Sequence, residues 1–231
     1  MRALVIGGTG PTGPFLVNGL RDRGYRVAIL HTGNHEVDEI PEDVEHIHTD
    51  PFSPEALRGA LAGRSFDLCI ATYGRLRRVA EIMKDHAGRF LSIGGAPAYL
   101  GYMNPWASTP AGLPVPTRED APLVTEEPQD AKGWRIVRTE EAVFEHQPEA
   151  THFRYPYVYG PYQPMPREWC IVRRIRDGRP VIVLPEDGLT LATNGYAANL
   201  APAAALGWSS LSMWALESHS KIAAGGSGGT G

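Results

Sequence analysis

Leu4-Val5-Ile6-Gly7-Gly8-Thr9-Gly10-Pro11-Thr12-Gly13 decides how the rest of the chain is read. Three apolar residues run straight into glycines at 7, 10 and 13, and an amphipathic segment from Phe15 to Arg23 follows. That order is strand, tight turn, helix. Gly7 permits the turn, Gly10 lets the backbone approach a pyrophosphate, and Gly13 lets the helix pack closely on the strand, so that first-turn amides and the positive helix end face an anion. A strand immediately before and a helix immediately after are the context that a dinucleotide-binding turn needs. Gly7, Thr9, Gly10, Pro11, Thr12 and Gly13 are its expected contacts. A Walker phosphate loop is excluded, because the stretch lacks the Gly-Lys-Ser/Thr ending.

Outward from this turn, strands and helices alternate. Tyr25 to Leu30 is a second apolar run bounded by Gly24 and Gly33, hence a strand. An Asp or Glu at its end would hold the ribose hydroxyls of an adenosine and repel a 2′-phosphate. The chain offers His31, Thr32, Gly33 and Asn34 instead, with no carboxylate before Glu36, so NADP is expected in preference to NAD. NAD stays an alternative, since a phosphate-clamping Arg is also missing. Val44 to Ile47 is a third strand, after which Ser53 as N-cap and Pro54 at the first helical position start a helix. His46 and His48 alternate onto one face of that strand. No Cys, Asp or Glu cluster completes a shell around them, and His31 and His35 are not spaced for it, so no metal site is expected.

Phe66 to Ala71 is a fourth strand, Arg75 to His86 a helix, Arg89 to Ile93 a fifth strand, Ile136 to His146 a helix and Thr151 to Tyr155 a sixth strand. The alternation predicts an α/β fold of the Rossmann type, a doubly wound parallel sheet with ligands at the carboxyl ends of its strands. Residues 94–131 break the pattern, being dense in Gly, Pro, Asn, Ser and Thr with Tyr99, Tyr102 and Trp106 interspersed. So long a loop in a compact domain is usually functional, and this one is expected to lie over the reacting end of the cofactor and the substrate. Trp169 to Arg176 reads as a helix and Pro180 to Leu184 as a short strand.

With 231 residues, 42% of them hydrophobic, the chain supplies one α/β domain with a full core and a small appended lobe. A net charge of -4 and a pI near 6.1 provide no global positive field for nucleic acid or an anionic membrane. The local run Arg173, Arg174, Arg176 and Arg179 is spaced as the wet face of a helix. Both cysteines, Cys69 and Cys170, sit in apolar contexts without a short-range partner and read as reduced core residues of a cytoplasmic protein. Met1 to Ile6 is itself the first strand, which leaves no room for a signal peptide at this end. No window approaches the ~20 apolar residues of a membrane span, so a soluble protein is expected.

The Gly-x-x-Gly-x-x-Gly spacing with Thr9 and Thr12 between the glycines resembles the extended short-chain dehydrogenase/reductase superfamily, the NAD-dependent epimerase/dehydratase group. So do Thr117-Arg-Glu-Asp-Ala-Pro122 and, more specifically, Arg154-Tyr-Pro-Tyr-Val-Tyr-Gly-Pro161, which is similar to the group's Arg-Pro-x-x-Val-Tyr-Gly-Pro. The likeness extends through Gly195-Tyr-Ala-Ala-Asn-Leu-Ala201 and fades beyond about Gly207. It implies a Rossmann domain over residues 1–160, a partial substrate lobe over 161–207 and a divergent, flexible tail over 208–231. It also places Asp50 against the adenine amino group and Ala71, Thr72 and Tyr73 in a turn against the cofactor. Gly94, Tyr155, Pro156 and Val158 are further cofactor contacts. The helices Arg75 to His86 and Ile136 to His146 become the expected faces of a homodimer.

What the resemblance implies for the chemistry is a Tyr acid/base, a Lys four residues later and a Ser or Thr holding the substrate oxygen. The pattern of the fifth strand puts Gly94 and Gly95 where the serines belong. Counting back from Glu140-Glu141 puts Lys132 in place of the Tyr and Ile136 in place of the Lys. Lys132 and Tyr99 are then the candidate catalytic residues, with Tyr102 behind them. Three readings stay open: an NAD(P)-dependent oxidoreductase or epimerase-like protein with an atypical site, acting on a small carbonyl or hydroxyl compound; a catalytically silent NADP-binding sensor or scaffold; or a site completed by another Tyr. A serine hydrolase is not supported, since no Gly-x-Ser-x-Gly elbow occurs and Ser92 lies inside a strand.

Overall fold

The computed structural model describes residues 1–163, 165–182, 193–206 and 215–216. In chain order the elements begin β1 (Arg2–Ile6), α1 (Gly13–Arg21), β2 (Arg26–His31), β3 (Glu45–His48), α2 (Pro54–Leu61) and β4 (Phe66–Ala71). They continue with α3 (Leu76–Met83), β5 (Ala87–Gly95), α4 (Ala131–His146), β6 (Thr151–Tyr155) and β7 (Tyr157–Tyr159). Last come α5 (Trp169–Arg176), β8 (Asn194–Tyr196), α6 (Ala197–Leu206) and β9 (Ala215–Leu216). The main sheet has the order β3-β2-β1-β4-β5-β6-β9. Its first six strands are parallel and β9 pairs antiparallel with β6. The strand order reverses between β1 and β4, and in a doubly wound sheet that crevice is where ligands bind. The fold is therefore the Rossmann type that the alternation predicts.

Side chains alternate across β1, and each set has its own layer. Ala3 and Val5 face a cluster with Leu16, Val17 and Leu20 of α1, and with Ala201 of α6. Leu4 and Ile6 face the other way, into a cluster with Leu57 and Leu61 of α2, Val79 and Met83 of α3, and Val143 of α4. Because α6 packs on α1 and shares its core, the end of the expected 161–207 lobe is built into the main body.

Local signals explain most boundaries. Ser53 caps α2, its hydroxyl accepting from the Ala56 amide at 3.3 Å. The helix expected from Ile136 starts earlier, at Ala131, because the Asp130 carboxylate accepts from the amides of Lys132 and Gly133 at 2.9 and 3.0 Å. Among 180–182 there is no strand, and the remainder of the expected Pro180 to Leu184 strand lies outside the described residues. The expected tail 208–231 likewise lies outside them, apart from Ala215–Leu216 on β6. Cys69 is buried on β4 as expected, whereas Cys170 is exposed, because none of α5 is buried and its apolar positions face solvent together with its arginines. No helix among the described residues is long and apolar enough to cross a membrane.

Candidate functional site

The glycine turn lies in the crevice between β1 and β4. Gly7 holds φ +96°, and a Cβ there would stand 2.5 Å from Tyr73 Cβ and 2.7 Å from Thr72 Oγ1. Thr72 ties the two strand ends together, its amide and hydroxyl both donating to the Ile6 carbonyl, at 3.0 and 2.9 Å. Gly13 is required for a close approach, though to the turn and not to the strand, since its Cβ would meet the Gly8 carbonyl oxygen at 2.0 Å. Gly8, which the sequence reading passed over, is packed against β2, its Cβ position only 2.6 Å from Ile29 Cγ2. Gly10 differs from all of these. A Cβ there would meet nothing nearer than the Gly7 carbonyl oxygen at 3.8 Å. No protein atom demands glycine at position 10, so the space beside it is a cradle open to a ligand, and a pyrophosphate is the group such a turn holds. Thr9, Pro11 and Thr12 complete the loop, with Thr9 and Thr12 buried.

At the outer end of the crevice, Thr32, Gly33 and Asn34 are exposed after β2. His31, expected alongside them, is buried, and its ring packs edge-to-face on His46 and His48 of β3. Burial pushes its pKa down against the opposing pull of Glu36. The fold also brings to these rings the carboxylate of Glu36, which the spacing does not assign to them: it lies 3.4 Å from His46 Nδ1 and 3.3 Å from His48 Nε2. Asp50 opens the turn after β3, one of its oxygens accepting from the Phe52 amide at 2.8 Å. Tyr73 is exposed beside it, stacked edge-on to Phe52.

The positions that correspond to the missing catalytic residues converge. Gly94, Gly95, Lys132 and Ile136 line one cavity of about 360 Å³, together with Ile93, Pro97, Tyr155, Pro156 and Tyr157. Lys132 is exposed at the start of α4, and its ammonium stands over the Tyr157 ring, 5.6 Å from the centroid. The Arg167 guanidinium lies against the same ring at 4.1 Å. Two cations held at one aromatic ring put positive charge at this mouth, which favours an anionic substrate. The glycine at 94 has a structural cause that sequence alone could not supply: a Cβ there would be 2.2 Å from His152 Nε2. His152 is fully buried, with Nδ1 2.7 Å from Ser92 Oγ and Nε2 3.5 Å from Glu140 Oε1. Of Ser92, His152 and Glu140, His152 borders this cavity, whereas Ser92 is fully buried behind it and lines neither cavity, so Ser92 is no nucleophile for an outside substrate.

Tyr99 and Lys132 do not share a cavity. Tyr99 lines a neighbouring space of about 310 Å³ with Tyr102, Arg154, Tyr159, Tyr196 and Asn199. Tyr99 is fully buried, its hydroxyl donates to the Glu119 carbonyl at 3.4 Å, and the Arg154 guanidinium covers its ring at 4.8 Å. Burial pushes the phenols of both Tyr99 and Tyr102 up, away from easy proton release. The loop 94–131 frames this second space, pinned by hydrogen bonds from Leu100 to Pro122 and from Val124 to Ala98, each 2.9 Å.

No protein-family model matches the chain. A 3-diazoavenalumate denitrifying reductase from a Streptomyces species is 27% identical over 207 residues, covering 81% of this chain and 66% of that protein. The chain thus spans just under two thirds of the length of this relative. Among solved structures, the Bordetella bronchiseptica enzyme WbmG in complex with NAD superposes with a TM-score of 0.69 at 15% identity, covering 91% of this chain and 69% of that one. A Thermus thermophilus UDP-glucose 4-epimerase in complex with NAD gives 0.66 at 21% identity, over 91% of this chain and 75% of that one. WbmH of Bordetella bronchiseptica, also with NAD+, gives 0.70 at 14% identity, over 89% and 71%. The fold is that of these NAD-binding enzymes, as the resemblance of the glycine turn implies.

Proposed function

We propose that the chain is an oxidoreductase that exchanges a hydride with a nicotinamide dinucleotide, NADP in preference to NAD, giving it to a small anionic carbonyl or diazo compound or taking it from the corresponding hydroxyl compound. The observation that carries this reading is the opening beside Gly10, in a turn whose other glycines are all explained by protein contacts. When bound, the dinucleotide would supply the hydride chemistry, and Gly94, Gly95 and Lys132 line the cavity that would receive the substrate. From the chain, Gly7, Thr9, Gly10, Pro11, Thr12 and Gly13 hold the pyrophosphate. Asp50 serves the adenine, while Ala71, Thr72, Tyr73, Tyr155, Pro156 and Val158 border the nicotinamide half. The preference for NADP follows from β2, which ends without a free carboxylate: Glu36 is engaged by His46 and His48.

Lys132 is the group of this chain placed to touch the substrate, holding its negative charge or giving up a proton. With glycines at 94 and 95 and Lys132 in place of the acid/base Tyr, the site suits a substrate that needs no proton at oxygen. A diazo compound, such as the relative's name states, is of that kind: as a diazonium cation it takes one hydride, loses N₂, and is left with a hydrogen where the nitrogen stood, so charge and atoms balance without an acid. A second reading, a silent NADP-binding sensor or scaffold, is favoured by the same missing hydroxyls. A cytoplasmic setting and a homodimer through α3 and α4 belong to the proposal as well.

NADPH oxidation measured against a panel of aldehydes, ketones and aryl diazonium salts, beside calorimetric titration with NADPH and NADH, separates these readings. Turnover with any member supports the oxidoreductase. Binding without turnover across the whole panel leaves the sensor, and heat from neither dinucleotide removes both.

A further inference from the structure

We infer that His31, His46, His48 and Glu36 form a site for one divalent metal ion of the zinc class at the carboxyl ends of β2 and β3. The register of the two strands sets it up. His31 lies directly opposite His48, and His46, two residues earlier on β3, projects from the same face. Gly33, at φ +79°, turns the chain just beyond β2, with its Cα side against the His48 ring, and the loop brings Glu36 back to all three imidazoles. One ligand atom from each of the four residues lies within 4.8 Å of the others.

The separations fit a tetrahedral ion. Ligands about 2.0–2.1 Å from zinc stand roughly 3.3 Å from one another. Here His31 Nε2 and His46 Nδ1 are 3.1 Å apart, Glu36 is 3.4 Å from His46 Nδ1 and 3.3 Å from His48 Nε2, and His31 Nε2 is 3.8 Å from Glu36. The rings meet edge-on, with interplanar angles of 72°, 90° and 89°, so their nitrogens converge instead of stacking past one another. Three imidazoles and one carboxylate form a donor set of the kind zinc takes, and the cluster offers no thiolate for a softer ion. His31, buried at the end of β2, is the fixed ligand, while the more exposed His48 and Glu36 are free to close on the ion.

Without metal the cluster is bridged by hydrogen bonds, the Gly33 amide donating to His31 Nδ1 at 3.3 Å. Ligation through His31 Nε2 puts the ring proton on Nδ1, giving up that long contact and exchanging the 3.1 Å His31 Nε2–His46 Nδ1 hydrogen bond for two bonds to the ion. The bound ion fastens the edge strand β3 and the loop after β2 to the sheet, beside the outer end of the crevice. Its test needs the chain and the metal alone, so its failure is distinct from failure of the dinucleotide reading.

The full chain, stripped with a chelator, is titrated with zinc chloride by calorimetry and with cobalt(II) by absorption. One equivalent per chain, the intense visible bands of four-coordinate cobalt and a rise in Tm with zinc are expected. His48→Ala and Glu36→Gln, both at exposed side chains, keep the native circular dichroism and weaken zinc binding by about tenfold or more, at least the effect of losing a group that supports a metal ligand. Zinc binding no tighter than in a His46→Ala/His48→Ala double variant, or the weak spectrum of six-coordinate cobalt, overturns the inference. If the double variant fails to fold, unchanged zinc affinity in His48→Ala overturns it equally.

Discussion

Arg154 grips Glu140 through two parallel hydrogen bonds, Nε to Oε1 at 2.9 Å and Nη2 to Oε2 at 2.7 Å, with both side chains almost wholly buried. The pair joins β6 to α4, with the Arg154 guanidinium against the Tyr99 ring and lining the second cavity. A buried ion pair adds little over a well-packed apolar pair, but removing one partner strands the other charge. Glu140→Gln should therefore destabilise the fold by about 3–5 kcal/mol, read as a lower Tm and a lower denaturant midpoint. A change within experimental error would mean that Arg154 finds another anion or water.

The same pair sets an acid limit. Burial pushes the Glu140 carboxyl up, but His152 and Arg154 together hold it below its ordinary value of 4.5. A depressed folded-state pKa gives stability that is present above the unfolded value and lost as pH falls through the folded one. Wild type should lose stability on acidification below about pH 4.5 more steeply than Glu140→Gln. Parallel acid limbs for the two proteins would remove Glu140 from that account.

Restoring a side chain at Gly94 should be costly for a reason unconnected with chemistry. The His152 ring occupies the place that a Cβ would take, at 2.2 Å, and it is locked by Ser92 at 2.7 Å. Gly94→Ala is expected to cost about 1–3 kcal/mol through overpacking. In combination with His152→Ala the two effects should fall short of additive, because the second change makes the room that the first lacks. Strict additivity in a double-mutant cycle would show that the two positions do not collide.

Much of this fold is legible in the sequence, wherever the cause is local. The apolar run Phe66 to Ala71 is β4 to the residue, and Ser53-Pro54 starts α2 where its cap chemistry places it. The partner of a residue on another strand is not local. Gly94 and His152 meet through the β5–β6 pairing, and Glu36 reaches His48 only once β2 and β3 lie side by side. Adjacency of those two strands, expected from the doubly wound order, was the available signal for the histidine cluster. Asp130 with a free amide two residues on was the missed signal for the start of α4. Cys170 misled because apolar neighbours predict burial only when another element covers them.

The cysteines give a direct check on burial. Cys69 is enclosed in β4 with its thiol pushed far up by burial, whereas Cys170 is exposed on α5. A thiol reagent at neutral pH should modify one site quickly in the native protein and the second only on unfolding. Two fast sites would show that the layer over β4 opens, and no fast site would show that α5 is covered.

Lys132 separates two roles by substitution. Its ammonium is exposed and makes no hydrogen bond that the core relies on, so Lys132→Met should leave stability within about 0.5 kcal/mol of wild type. With an active substrate in hand, a lysine that only holds an anion should be replaced by Arg with a small rise in KM. A lysine that delivers a proton should lose kcat in Lys132→Arg and with it the basic limb of the pH profile. Full activity in Lys132→Met would exclude both roles.

The glycine turn makes the sharpest contrast, because Gly10 and Gly13 are alike in sequence and opposite in environment. A Cβ on Gly13 would sit 2.0 Å from the Gly8 carbonyl oxygen, backbone against backbone, with no flexible side chain to yield. Gly13→Ala should therefore damage the fold itself, lowering Tm with or without any dinucleotide present. At Gly10 the nearest protein atom to a Cβ is 3.8 Å away, so a side chain there meets solvent or ligand, not protein. Gly10→Val should fold like wild type, with the same circular dichroism and a Tm within a few degrees, yet fill the space that a diphosphate needs and abolish binding of NADPH and NADH in a calorimetric titration. Unchanged affinity in a folded Gly10→Val protein would place the diphosphate elsewhere, and the assignment of the nicotinamide end at Gly94 and Lys132 would fall with it.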